Sequence, residues 1–221
     1  PERLASKRFL IGLKTLHVSM LAIDEAHCIS QWGFDFRPSY RNIASIRELF
    51  PTIPIIALTA SATPKVQEDI NQSLQLKKDV KIFKSSFERS NISFVVRQHT
   101  SKPEKMLEIL NKVNGSSIIY TSNRKRTQEI AEFLIKNGIS ATFYHAGLSS
   151  EERSKRQEAW IKNQCRVMCC TNAFGMGIDK PNVRMVIHAD VPESLEAYYQ
   201  EAGRAGRDGK RSYAVLLFNE K

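Results

Sequence analysis

Short apolar runs of strand length alternate with segments of helical period along this chain, and that alternation restricts it to an α/β fold with a mostly parallel sheet. The strand candidates are 18–23, 53–58, 80–83, 92–96, 117–120, 141–144, 167–170, 183–187 and 213–218. Between them lie segments with readable helix ends. Thr63-Pro64 places a capping hydroxyl before a proline, Ser101/Glu104 and Ser149/Glu152 fit the S-x-x-E capping box, and Asn137-Gly138 fits a left-handed helix end. The polar stretch 84–91 separates two strand-like runs and is the best linker, which predicts one domain over 1–86 and a second over 87–221.

Composition narrows the function classes. The chain has 221 residues, is 42% apolar and 25% charged, and carries a net charge of +10. The basic excess is +4 before residue 87 and +6 after it, which suits a long polyanion groove better than a basic tail. No apolar run approaches a membrane span and no leader pattern is present, so the expectation is a cytoplasmic protein without membrane contact. Cys28, Cys165, Cys169 and Cys170 form no C-x-x-C pair, so no zinc site is expected and the thiols read as structural.

Three segments carry chemistry. Asp24-Glu25 follows the apolar run 18–23, and open α/β sheets bind ligands at the carboxyl ends of their strands. There the first carboxylate can hold Mg²⁺, directly or through water, and the second can orient a water for attack on a γ-phosphate. Thr59, Ser61 and Thr63 follow the next apolar run, where hydroxyls can bond a neighbouring carboxylate or imidazole. In 198–209, a continuous helix would put Gln200, Arg204 and Arg207 on one stripe, two guanidiniums suited to a triphosphate.

Asp24-Glu25-Ala26-His27, Thr59-Ala60-Ser61-Ala62-Thr63, Ala173 to Pro181 and Gln200 to Gly209 occur in the order and spacing of superfamily-two helicase motifs. With Cys28-Ile29-Ser30-Gln31-Trp32-Gly33-Phe34-Asp35-Phe36-Arg37-Pro38, an aromatic-rich loop after the DEAH box, the chain resembles the RecQ DNA helicases along essentially its whole length. The resemblance implies two RecA-like lobes, ATP and Mg²⁺ in the cleft between them, and single-stranded or partially duplex DNA as partner. It makes Glu25 the general base, Asp24 the Mg²⁺ residue through water, and Arg207 an arginine finger, with Arg204 and Gln200 near the phosphates. Gly177 and Asp179 would couple nucleotide state to DNA grip. DNA binding and coupling would fall to His27, Trp32, Phe34, Phe36, Arg37, Thr59, Ser61, Thr63, Thr121, Asn123, Arg124, His145 and Thr171. The activity implied is ATP-dependent 3′→5′ unwinding in recombination and repair, in the cytoplasm on the chromosome.

Phe34, Ala202, Ser90 and Asn182 depart from the usual family pattern without removing a motif's principal residue. No G-x-x-x-x-G-K-[S/T] phosphate loop occurs, which predicts a first lobe shortened at its N-terminal side and, for these residues alone, a nucleic-acid-binding module without catalysis. An RNA helicase is the lesser alternative, against which His27 and the aromatic-rich loop weigh.

Overall fold

The computed structural model describes residues 1–219 except 32, 34, 77, 78, 87, 176 and 177. The chain divides into two compact units, Pro1–Ser86 and Phe87–Lys221.

The first unit contains α1 (Lys7–Lys14), β1 (Leu21–Ile23), α2 (Ser45–Leu49), β2 (Ile55–Ala57) and α3 (Pro64–Ser73), with 3-10 turns at Glu2–Ala5, Ala26–Ile29 and Pro38–Ala44. β1 and β2 run parallel, in register Leu21 to Ile55 and Ile23 to Ala57. Their inner face meets Ile29, Ile43, Ile46, Val66, Ile70 and Leu74 in one core. The Thr63 hydroxyl accepts the Val66 N–H (3.4 Å) and starts α3, as its sequence predicts. Val80–Phe83, expected as a strand, forms none: Ile82 and Phe83 are 55% and 89% exposed, and no described strand pairs with them. An isolated extended run has no partner for its backbone groups, and β-propensity alone does not hold it in a sheet.

The second unit is a six-stranded parallel sheet in the order β3-β8-β7-β4-β6-β5. The strands are β3 (Ile92–Gln98), β4 (Ser116–Tyr120), β5 (Ala141–Tyr144), β6 (Val167–Cys170), β7 (Val183–His188) and β8 (Ser212–Phe218). The helices are α4 (Lys102–Lys112), α5 (Arg124–Lys136), α6 (Ser150–Ile161) and α7 (Leu195–Ala202). α4 and α5 cover one face through Met106, Leu110, Ile130 and Leu134. α6 and α7 cover the other through Trp160 and Ala202. Strands buried on both faces need uninterrupted apolar runs, which is why β4 and β6 lack polar alternation. Ser149 caps α6 by accepting the Glu152 N–H (3.2 Å), whereas Ser101 makes no side-chain cap and its N–H goes to His99 instead. All four cysteines are buried and unpaired by disulfides.

Trp160 anchors the α6 face. It is fully buried, donates its indole N–H to the Ser117 carbonyl (3.2 Å) and meets Phe174 edge-on at 5.5 Å. Trp160→Ala is expected to destabilise the second unit by about 3–5 kcal/mol, and Trp160→Phe by markedly less, in urea unfolding of the chain. Equal losses in the two variants would contradict this packing role.

Candidate functional site

In the first unit the Asp24-Glu25 pair and the Thr59 segment are brought together by the ladder that continues beyond β1 and β2. Leu58 N–H donates to the Ile23 carbonyl (2.8 Å) and Ala26 N–H to the Leu58 carbonyl (2.9 Å). Between these bonds the chain turns sharply, and Glu25 takes φ 51°, a left-handed conformation costing a non-glycine residue about 1–2 kcal/mol. Such an outlier at a strand end points to function. The turn drops His27 into the core at 2% exposure, where its Nδ1 lies 3.1 Å from Thr59 Oγ1 and 3.4 Å from Glu25 Oε2. One buried imidazole thus joins the carboxylate pair to the hydroxyl segment.

The loop that follows folds back on His27. A Cβ on Gly33 would stand 2.3 Å from the His27 carbonyl oxygen, so only glycine permits the approach. Arg37 holds Asp35 Oδ2 through Nη2 (2.7 Å) and Nε (3.1 Å), and the Arg41 guanidinium lies 5.2 Å from the Phe36 ring. Asp35 also faces the Cys28 thiol at 3.9 Å, and burial, reinforced by that carboxylate, pushes the thiol up to about 11. Cys28 is therefore protonated at neutral pH and packs as a small apolar group. Trp32 and Phe34 lie outside the described residues.

The donor set at this strand end fits Mg²⁺ rather than a protein-saturated metal. One Asp24 oxygen accepts the Glu25 N–H (2.9 Å), and among the described residues no group of three or more His, Cys, Asp or Glu is placed to hold an ion. One or two carboxylates, with the remaining positions left to water and phosphate oxygens, is the way Mg²⁺ is commonly bound, and Asp24 would be the residue to hold it here. Ser61 has a buried hydroxyl without a hydrogen-bond partner among the described residues, and its N–H donates to Thr59 Oγ1 (3.4 Å).

In the second unit the polar candidates sit where β4, β5 and β6 end. Thr121 follows β4 and accepts the Asn123 N–H (3.2 Å), and Asn123 caps α5 by accepting the Lys125 N–H (2.8 Å). His145 follows β5, and a Cβ on the adjacent Gly147 would meet both His145 Nδ1 (3.2 Å) and Arg124 Nη1 (3.1 Å). Burial, with Arg124 and Arg156 alongside, holds the His145 pKa below its ordinary value, so the ring is neutral and accepts the Gly147 N–H (3.2 Å). Thr171 follows β6 and accepts the Ala173 N–H (3.4 Å). Four expected residues therefore converge on one sheet edge with Arg124 at its rim.

The arginine segment departs from its expected form. α7 stops at Ala202 with Gly203 as its cap, so Gln200, Arg204 and Arg207 do not share one helical stripe. Gly206 has φ +56°, and a Cβ there would meet Asn91 Nδ2, Lys210 O and Ser212 Oγ within 2.7 Å, which enforces a turn. Its carbonyls do not go unpaired: Arg89 donates to Gly203 O (3.2 Å), Ala205 O (3.0 Å) and Gly206 O (3.0 Å). Arg204 donates to the Gly175 carbonyl (2.5 Å), while Arg207 donates to Ile178 O (3.1 Å) and Asp179 Oδ1 (3.0 Å). Both arginines thus hold the segment between β6 and β7; Gly177, within it, lies outside the described residues. Sequence reasoning missed Arg89 and the Asp35–Arg37 pair as organisers, because their partners are backbone carbonyls or a neighbour two residues away.

Burial is the main cause lowering the His27 pKa from its ordinary 6.5, with Glu25 opposing. A folded pKa below the unfolded one leaves stability unaffected above about pH 6.5 and erodes it as pH falls below that value, because the unfolded chain binds the proton more tightly. His27→Gln is expected to flatten the slope of unfolding free energy between about pH 6.5 and 5; an unchanged slope would contradict a buried neutral imidazole.

Comparison with known proteins places these segments. Residues 1–70 match the DEAD/DEAH box helicase family and residues 101–209 the helicase conserved C-terminal domain. The chain is 48% identical over 221 residues to the ATP-dependent DNA helicase RecQ of Bacillus subtilis, covering 99% of this chain and 37% of that protein. It is also 48% identical over 204 residues, 91% of this chain and 37% of the relative, to an Acanthamoeba polyphaga mimivirus protein provisionally named an ATP-dependent RNA helicase. Among solved structures, the Mycobacterium smegmatis helicase Lhr bound to ssDNA and AMP-PNP superposes with a TM-score of 0.77 at 20% identity, over 97% of this chain and 30% of that one, which shows the α/β fold of RecA-like helicase lobes. The chain spans 37% of the length of its RecQ relative. With both helicase segments matched in order and a RecQ protein alike over 99% of this chain, the chain belongs to the DEAD/DEAH-box helicases of the RecQ family.

Proposed function

We propose that these residues form part of an ATP-dependent DNA helicase that couples ATP hydrolysis to 3′→5′ unwinding in recombination and repair, acting on single-stranded and partially duplex DNA in the cytoplasm at the chromosome. The observation that carries the reading is His27, whose buried Nδ1 meets both Glu25 and Thr59 and so links a hydrolytic carboxylate to a neighbouring strand end.

In this reading Asp24 holds Mg²⁺ through water, and the bound ion supplies charge neutralisation on the phosphates. Glu25 orients and deprotonates the attacking water. Its left-handed backbone sets the direction in which the carboxylate leaves the strand end, and His27 limits its swing. Arg207 serves as the arginine finger, exchanging Asp179 and the Ile178 carbonyl for phosphate oxygens, with Arg204 and Gln200 nearby. Arg204 bonds Gly175 and Arg207 bonds Ile178 and Asp179, so in this reading nucleotide state is passed to the segment that begins at Thr171.

The nucleic acid is assigned to the edge of Thr121, Asn123, Arg124, His145 and Thr171, and to the loop carrying Phe36 and Arg37. A guanidinium at a rim of hydroxyls and a neutral imidazole suits a phosphate backbone, and the half-buried Phe36 ring offers a face on which a base could stack. Thr59, Ser61 and Thr63 couple the two, with Thr63 acting through α3, which it caps. The mimivirus relative's name favours RNA as a second reading, separated from the first by unwinding DNA and RNA duplexes side by side.

The test uses the whole protein, since no phosphate-loop sequence occurs in these residues. Glu25→Gln is expected to lower ssDNA-stimulated ATP hydrolysis by about 10²–10⁴-fold while leaving ssDNA affinity intact. Arg124→Ala is expected to weaken ssDNA binding and reduce the slope of log K against log salt by about 0.7, the share of one phosphate contact. Full ATPase activity in Glu25→Gln, or affinity independent of salt, would sink the reading.

A further inference from the structure

The edge assigned to nucleic acid and the loop of Arg204 are joined by a second, buried route that no motif marks. His188 ends β7 and Tyr120 ends β4, and the backbone beyond them is tied by the Ala189 N–H to Tyr120 O bond (2.9 Å). The rings stack, 5.5 Å between centroids and 19° between planes, and Tyr198 of α7 closes the other side of the imidazole at 4.9 Å. His188 is fully buried; its Nε2 lies 2.9 Å from Glu201 Oε2, and its Nδ1 has no hydrogen-bond partner among the described residues. With no acceptor at Nδ1 among the described residues, Nε2 is the nitrogen that donates to Glu201 Oε2.

Glu201 stands in the last turn of α7. Its backbone carbonyl accepts the Arg204 N–H (3.2 Å), so the side-chain bond to His188 fixes the turn from which Arg204 departs. Tyr120 reaches the same place from the sheet, donating its hydroxyl to the Phe174 carbonyl (2.9 Å) one residue before the Gly175 carbonyl that Arg204 holds. At the other end, Asp190, two residues past His188, accepts from Ser122 N (3.0 Å), Ser122 Oγ (3.1 Å) and Arg126 Nη1 (2.5 Å), fixing the loop between Thr121 and Arg126. We propose that His188 and Glu201 are positioning residues whose hydrogen bond transmits occupancy of the Thr121–Arg126 edge to the setting of Arg204. The proposal rests on the helicase reading above and adds to it a specific pair and a specific bond.

The test is made in the whole protein with three variants. His188→Phe keeps a ring between Tyr120 and Tyr198 but cannot donate; Glu201→Ala removes the acceptor; Glu201→Gln keeps an acceptor without the charge. Two quantities are read: the ratio of ssDNA-stimulated to unstimulated ATP hydrolysis, and the ssDNA-induced change in amide hydrogen exchange at 203–207. His188→Phe and Glu201→Ala are expected to cut the ratio about tenfold or more and abolish the exchange response, with ssDNA affinity within about threefold and Glu201→Gln near wild type. A packing role alone would leave His188→Phe close to wild type in both readouts, and that result overturns the proposal. So does Glu201→Gln failing as badly as Glu201→Ala. A wild-type protein that shows no ssDNA response at all overturns the helicase reading and the proposal with it, whereas a responsive wild type with equally responsive variants overturns the proposal alone.

Discussion

A parallel strand buried on both faces can present polar groups only at its ends, and this constraint governs where chemistry is placed in both units. β4 and β6 are buried along their whole length, and Thr121 and Thr171, themselves buried, are the first residues past their ends. β1 also delivers its polar groups at its end, three residues of strand and then Asp24 and Glu25, although only its last residue, Ile23, is fully buried. Parallel pairing then aligns one strand's end with its neighbour's, which is how Thr59 arrives beside His27 without any sequence proximity.

The turns that follow these strands are held by means that leave little trace in a hydropathy pattern. Glu25 accepts a left-handed backbone, Gly33 admits a carbonyl where a Cβ would sit, and Gly206 forms a turn whose carbonyls are collected by Arg89. Each is a backbone requirement met by a residue type chosen for its conformation or its fork of donors. In consequence Arg204 and Arg207 leave from a glycine-punctuated turn rather than a helix face, and they are aimed at Gly175 and Asp179 by hydrogen bonds made within their own unit.

Burial on both faces demands an unbroken apolar run, which made 167–170 legible as β6, while the half-buried edge strand β5 coincides with the expected 141–144. Val80–Phe83 has the same residue types and no described partner, so a strand propensity without a neighbouring strand misleads. Asp24 and Glu25 stand out in the sequence by type and by their place after an apolar run, whereas Arg124 is singled out only by the family resemblance. Their organisers were not legible: His188 closes an apolar run, and its partner Glu201 lies on the far side of a turn and a helix, a pairing that only the fold creates. The helical stripe through Arg207 failed for a local reason, since two glycines within four residues favour a turn once Arg89 is present to satisfy the carbonyls.

The central claim is that the strand-end groups of the first unit act as one device through the His27–Thr59 contact. A double-mutant cycle on ssDNA-stimulated kcat in the whole protein, with His27→Ala, Thr59→Ala and both together, measures this directly. If the contact carries the coupling, the double variant loses no more activity than the worse single variant. Losses that multiply would show that His27 and Thr59 act independently, and would contradict the account.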